Sequence, residues 1–104
     1  VSAVDLGALE EFADAVAVRR EVGALALVLV RLGGNVYALE DRCSHEEFPL
    51  SLGEVDPVTC EIECERHGAL FHLADGSPAS LPATKPVASY AVTVRDGRVV
   101  VVVP

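Results

Sequence analysis

The chain is rich in Val and shows little helical periodicity. Val16 and Val18, and then the run Leu25 to Leu32, read as two strands with Gly23 between them. Gly33-Gly34-Asn35 is a hairpin signal, because Gly and Asn accept positive φ at little cost. Val36 to Leu39 then returns as a strand. Tyr90 to Val94 and Arg98 to Val103 flank Asp96-Gly97, which predicts a second hairpin. The one helix candidate is Leu6 to Phe12. The middle of the chain, Asp41 to Pro86, is different: it holds all three His, all three Cys and five of the six Pro. Its predicted strands are short, Thr59 to Cys64 and Leu70 to Leu73. The pattern predicts an all-β antiparallel sandwich or barrel built from both ends of the chain, carrying a loop-rich insert at about residues 41–86.

Length and composition narrow the class. A chain of 104 residues predicts a single domain, residues 1–104. The net charge of −8 argues against a nucleic-acid partner, which needs clustered Lys and Arg. It also argues against an anionic membrane surface. An apolar share of 51% is too high for a disordered acidic chain. The longest unbroken apolar run, Ala24 to Val30, is far short of the roughly 20 residues of a spanning helix. The first residues show no basic segment followed by an apolar stretch, so no signal peptide is expected. Three Cys is an odd number and too few for a disulfide framework. The expected compartment is the cytoplasm, where thiols stay reduced.

The candidate chemistry lies in two short motifs. Cys43-Ser44-His45 is a C-x-H pair, and Cys64-Glu65-Arg66-His67 is a C-x-x-H pair. Each follows a predicted strand and opens a loop. Two such loops side by side would offer two thiolates and two imidazoles to one point, which is the ligand count of a metal site. Zinc takes this ligand set in structural sites, but usually with the two Cys grouped together and the two His grouped together. Here each motif mixes one of each. A two-iron cluster accounts for the mixing if the Cys of both loops hold one iron and the His of both loops hold the other.

Cys43-Ser44-His45 through Ser51-Leu52-Gly53, then Cys64 through His67-Gly68, then Leu81-Pro82-Ala83, resemble the Rieske-type [2Fe–2S] ferredoxins. These are small carriers like the ferredoxin components of bacterial ring-hydroxylating dioxygenases, with a related subgroup linked to iron–sulfur assembly. The resemblance covers roughly residues 36–104. It implies a Rieske-like fold whose insert binds a [2Fe–2S] cluster. It also implies that Cys43 and Cys64 bind the inner iron and that His45 and His67 bind the outer one. Leu81-Pro82-Ala83 matches the loop that closes over the cluster. The implied partners are a ferredoxin reductase and a terminal oxygenase or other redox acceptor.

The implied ligand set has an electrostatic meaning. Two ferric ions, two sulfides and two thiolates sum to zero charge, so an electron adds more easily than to an all-Cys cluster. Respiratory-chain relatives brace the two loops with a disulfide. Here the first of those positions is Phe48, and the residues between Cys64 and His67 are Glu65 and Arg66, so no such bridge is expected. Those relatives also donate hydroxyl hydrogen bonds from positions that here are Ala69 and Phe71. Without them the potential should fall at the low end of the Rieske range, about −150 mV.

Other residues take plainer readings. Cys60 is expected on a strand face as a small buried hydrophobe, not a ligand. His72 stands where the family usually has Asp and reads as a surface or hydrogen-bonded His. Glu40, Asp41, Glu46, Glu47, Glu61, Glu63 and Glu65 crowd the motifs. They form either a solvated surface or a negative rim that steers basic partners.

The functional reading is a one-electron carrier rather than an enzyme, a possible component of a multicomponent dioxygenase. A free-standing oxygenase needs a further iron held by two His and a carboxylate, and only His72 remains for it. The alternative is a zinc-stapled interaction module with no redox role. Because the cluster would link two long loops, the insert is expected to lose order without it while the outer scaffold stays folded.

Overall fold

A computed structural model describes residues 1–44, 48–66, 68–81 and 83–104. Ten strands follow in chain order: β1 Ser2–Ala8, β2 Ala17–Val22, β3 Leu25–Leu32, β4 Asn35–Glu40, β5 Val55–Asp56, β6 Glu61–Glu63, β7 Leu70–His72, β8 Ser89–Tyr90, β9 Val92–Arg95 and β10 Arg98–Val103. They form three sheets of order β1-β10-β9, β2-β3-β4-β8 and β5-β6-β7, with every strand pair antiparallel. The fold is all-β, as the hairpin signals imply.

The hydrophobic run of β3 is explained by burial on both faces. Leu27 and Leu29 enter one core with Phe12, Val36, Ala38, Val99, Val101 and Val103. Val28 and Val30 enter a second core with Leu39, Leu50, Ile62, Phe71, Leu73 and Val87. Successive strand residues point to opposite faces, so one sheet serves two cores. The first core joins the β1-β10-β9 sheet to the β2-β3-β4-β8 sheet. The second joins that sheet to β5-β6-β7.

Three local expectations are corrected. Leu6 to Phe12 is not a helix: β1 runs through Ala8 and pairs along its length with β10, with a bulge between Asp5 and Gly7. Gly7 takes φ +121 at the bulge, a conformation other residues rarely adopt, and only a 3-10 turn, Leu9–Glu11, follows. The strand expected over Thr59 to Cys64 shrinks to Glu61–Glu63. The Asp56 carboxylate accepts the N–H groups of Val58 and Thr59 at 2.9 and 3.3 Å, holding those residues in a turn. Tyr90 to Val94 is two strands. Tyr90 pairs with Ala38 in one sheet and Val92 pairs with Val101 in another, so the chain changes sheet at Ala91.

Candidate metal centre

Cys43 and Cys64 make the same backbone contact. The Cys43 N–H donates to the Phe48 carbonyl at 2.9 Å, and the Cys64 N–H donates to the Ala69 carbonyl at 2.7 Å. Each Cys thus opens a loop closed by a bond from its own amide to the carbonyl five residues on. The Gly68 N–H returns to the Cys64 carbonyl at 2.9 Å, with Gly68 at φ +74. Gly53 brings the two loop bases together. A Cβ there would lie 1.6 Å from the Glu63 carbonyl oxygen, so only Gly lets the backbones approach this closely.

A third segment lies against them. The Ala79 N–H donates to the Leu70 carbonyl at 2.7 Å, and the Leu70 N–H donates to the Ser80 hydroxyl at 3.1 Å. The Ser44 hydroxyl donates to the Lys85 carbonyl. Ala83 is buried in the same core as Cys43, Cys64, Leu50 and Ala69. Leu81, beside it, is 78% exposed. The Arg66 guanidinium sits 6.0 Å from the centre of the Phe48 ring. That cation–π contact spans the two loops at the positions where respiratory relatives place a disulfide. Sequence reasoning noted the absent disulfide but missed this contact, for which the pairing of a cation with an aromatic residue is the available signal.

The structure places Cys43 and Cys64 together in one core, 2% and 0% exposed, and puts no cysteine in a disulfide. His45, His67 and Pro82 lie outside the described residues, as do Glu46 and Glu47. The donor chemistry fits a thiolate-bound metal group. A coordinated metal ion deprotonates a thiol outright, so two buried cysteines in one core are suitable donors for it. Ala69 and Phe71 are fully buried beneath the second loop, where neither side chain has a hydroxyl to donate.

Two acidic or thiol positions differ from expectation. Asp41 is not part of a surface rim. Its side chain is 0% exposed and accepts three hydrogen bonds: from the Ser51 N–H at 2.7 Å, the Ser51 hydroxyl at 2.7 Å and Arg19 at 2.8 Å. The carboxylate raises the pKa of the Arg19 guanidinium above its ordinary value. Cys60 is half-buried rather than buried, and it lies in a turn at φ +58 instead of on a strand. Its contact with the Tyr37 hydroxyl pushes that phenol's pKa up. His72 meets its expectation as a half-exposed residue: it faces Glu61 across β6 and β7, with Nδ1 3.7 Å from the carboxylate.

Comparison with known proteins agrees with this geometry. The family profile described as Rieske [2Fe-2S] domain matches residues 2–91. Ferredoxin CarAc of Metapseudomonas resinovorans is 42% identical over 80 residues, covering 77% of this chain and 73% of its own. The ferredoxin of carbazole 1,9a-dioxygenase from Nocardioides aromaticivorans IC177 superposes with a TM-score of 0.94 at 32% identity, covering 97% of both chains. A chain in the complex of reduced oxygenase and oxidized ferredoxin in carbazole 1,9a-dioxygenase gives a TM-score of 0.87 at 36% identity, covering 95% of this chain and 91% of that one.

Proposed function

Because this chain belongs to the Rieske [2Fe–2S] domain family, we propose that it is a one-electron carrier. In this reading Cys43, His45, Cys64 and His67 hold its [2Fe–2S] cluster. The observation that carries the ligand assignment is the matched pair of loops, each opened by a buried Cys whose amide binds the carbonyl five residues on. When bound, the cluster supplies a one-electron redox couple. Cys43 and Cys64 anchor it from the core side as thiolates. His45 and His67 complete it as neutral imidazoles. The hydroxyl-free side chains of Ala69 and Phe71 leave the reduced state less stabilised, for a potential of about −150 mV.

The chain carries electrons rather than performing oxygenation. It accepts them from a ferredoxin reductase and delivers them to a terminal oxygenase or a similar redox acceptor. The oxygenase half of that reading is supported by the relative solved in complex with its oxygenase. No helix among the described residues is long and apolar enough to cross a membrane. The chain's place is the cytoplasm, in keeping with buried cysteines that form no disulfide. The zinc-stapled alternative gains no support from the relatives.

Leu81, 78% exposed on the third segment, would offer an oxygenase an apolar contact. Leu81→Asp is expected to slow electron transfer to the oxygenase with the cluster's spectrum unchanged. Iron and acid-labile sulfide analysis of the purified protein tests the reading as a whole. Two irons and two sulfides per chain are expected; a single zinc would overturn it.

A further inference from the structure

Asp41 is the buried charged residue among those described. A buried carboxylate is costly unless every oxygen is paired. Here Ser51 supplies two bonds and Arg19 the third. Ser51 lies in the turn Leu50–Leu52, beyond the loop, and Asp41 lies just before Cys43, so the carboxylate closes the base of the first loop. Its own N–H donates to the Ala26 carbonyl at 2.9 Å, which ties that base to β3. A neutral peg could close a loop equally well. The charge, and a guanidinium sent from β2 to meet it, call for a second explanation.

We propose that Arg19 is an electrostatic positioning residue: it neutralises Asp41, so that the buried carboxylate closing the first loop does not lower the reduction potential of the cluster. This rests on the reading of Cys43 as a cluster ligand. Adding an electron is opposed by nearby negative charge and favoured by nearby positive charge; the effect is stronger for the buried Asp41 than for Arg19, whose side chain is 43% exposed and screened by water. In the intact pair the two charges largely cancel. Removing Arg19 leaves the buried Asp41 carboxylate uncompensated close to the loop, and removing Asp41 leaves the guanidinium with only the more exposed Glu21, 3.4 Å away. The two single variants must therefore move the potential in opposite directions, whereas a merely structural peg would not.

The test is a potentiometric titration of the holoprotein and three variants: Asp41→Asn, Arg19→Met and the double variant. Asp41→Asn is expected to move the midpoint positive and Arg19→Met to move it negative, with the double variant returning close to the unsubstituted protein. Equal midpoints, or single shifts of the same sign, would overturn the proposal. If Asp41→Asn fails to retain a cluster, Arg19→Met decides alone, because Arg19 lies on β2 outside the loop: a negative shift supports the proposal and an unchanged midpoint overturns it. An unsubstituted protein without a two-iron cluster would overturn the ligand reading as well, so the two failures are told apart by that sample.

Discussion

The scaffold and the layer between β4 and β8 are held together by different means. The scaffold rests on long ladders: β1 pairs with β10 from Ser2 to Ala8, and β2, β3 and β4 pair over nearly their full lengths. Its core is made of Leu, Val, Phe and Ala side chains. The β5-β6-β7 layer has strands of two and three residues, and its turns lean on side-chain acceptors: Asp56 takes the N–H groups of Val58 and Thr59, Asp75 the N–H and hydroxyl of Ser77, and Ser80 the N–H of Leu70. Two of the side chains filling its core are cysteines at the loop bases. A hydrocarbon core is complete once the chain has folded. A core with metal-binding thiols in it is complete only when the metal group is bound.

The largest expected effect separates the two regions directly. In protein stripped of its cluster, hydrogen exchange should accelerate through residues 43–73 while β3, β4 and β10 keep their protection. His45→Ala and His67→Ala should reproduce that pattern and abolish the visible absorption. Protection unchanged across both regions would erase the contrast.

Core truncations sharpen the comparison at a smaller scale. Leu29 and Phe71 are both fully buried, one in each core. Leu29→Ala should cost about 2–5 kcal/mol and lower the denaturant midpoint of the whole chain. Phe71→Ala should cost about 3–5 kcal/mol, read chiefly as faster bleaching of the cluster, with the scaffold's transition shifted less. Smaller again is the Arg66–Phe48 contact, worth about 0.5–1 kcal/mol at an exposed site. Arg66→Ala should shorten the cluster's half-life by a few-fold, and thiol reductants should leave the unsubstituted protein unaffected because no disulfide braces its loops.

The smallest effect belongs to the scaffold surface. Arg98 and the Gly7 N–H hold the Asp5 carboxyl below its ordinary pKa. A depressed carboxylate contributes stability above its unfolded value and loses it as pH falls through the folded value. Thermal unfolding of Asp5→Asn should therefore lie slightly below the unsubstituted protein at neutral pH and converge with it in acid.

The same contrast decides what was legible in the sequence. Gly33-Gly34-Asn35 and Asp96-Gly97 announce their hairpins because a tight turn is a local event. Membership of the Rieske family is legible in the two Cys–His pairs because motif spacing is local too. Leu6 to Phe12 misleads because the partner that makes it extended, β10, lies at the other end of the chain. Tyr90 to Val94 reads as one strand because its two halves owe their places to different sheets. Asp41 reads as a surface acid among many. Only the arrival of Arg19 and Ser51 from elsewhere makes a buried carboxylate tolerable there.

Mixed ligation, thiolates on one iron and imidazoles on the other, is tested most directly by pulsed paramagnetic resonance on dithionite-reduced protein containing nitrogen-15 histidine. Couplings to two directly bound histidine nitrogens are expected, and the whole reduced signal should be absent from His45→Ala and His67→Ala. A reduced signal without histidine nitrogen coupling, or a protein with no paramagnetic reduced state, would contradict the assignment.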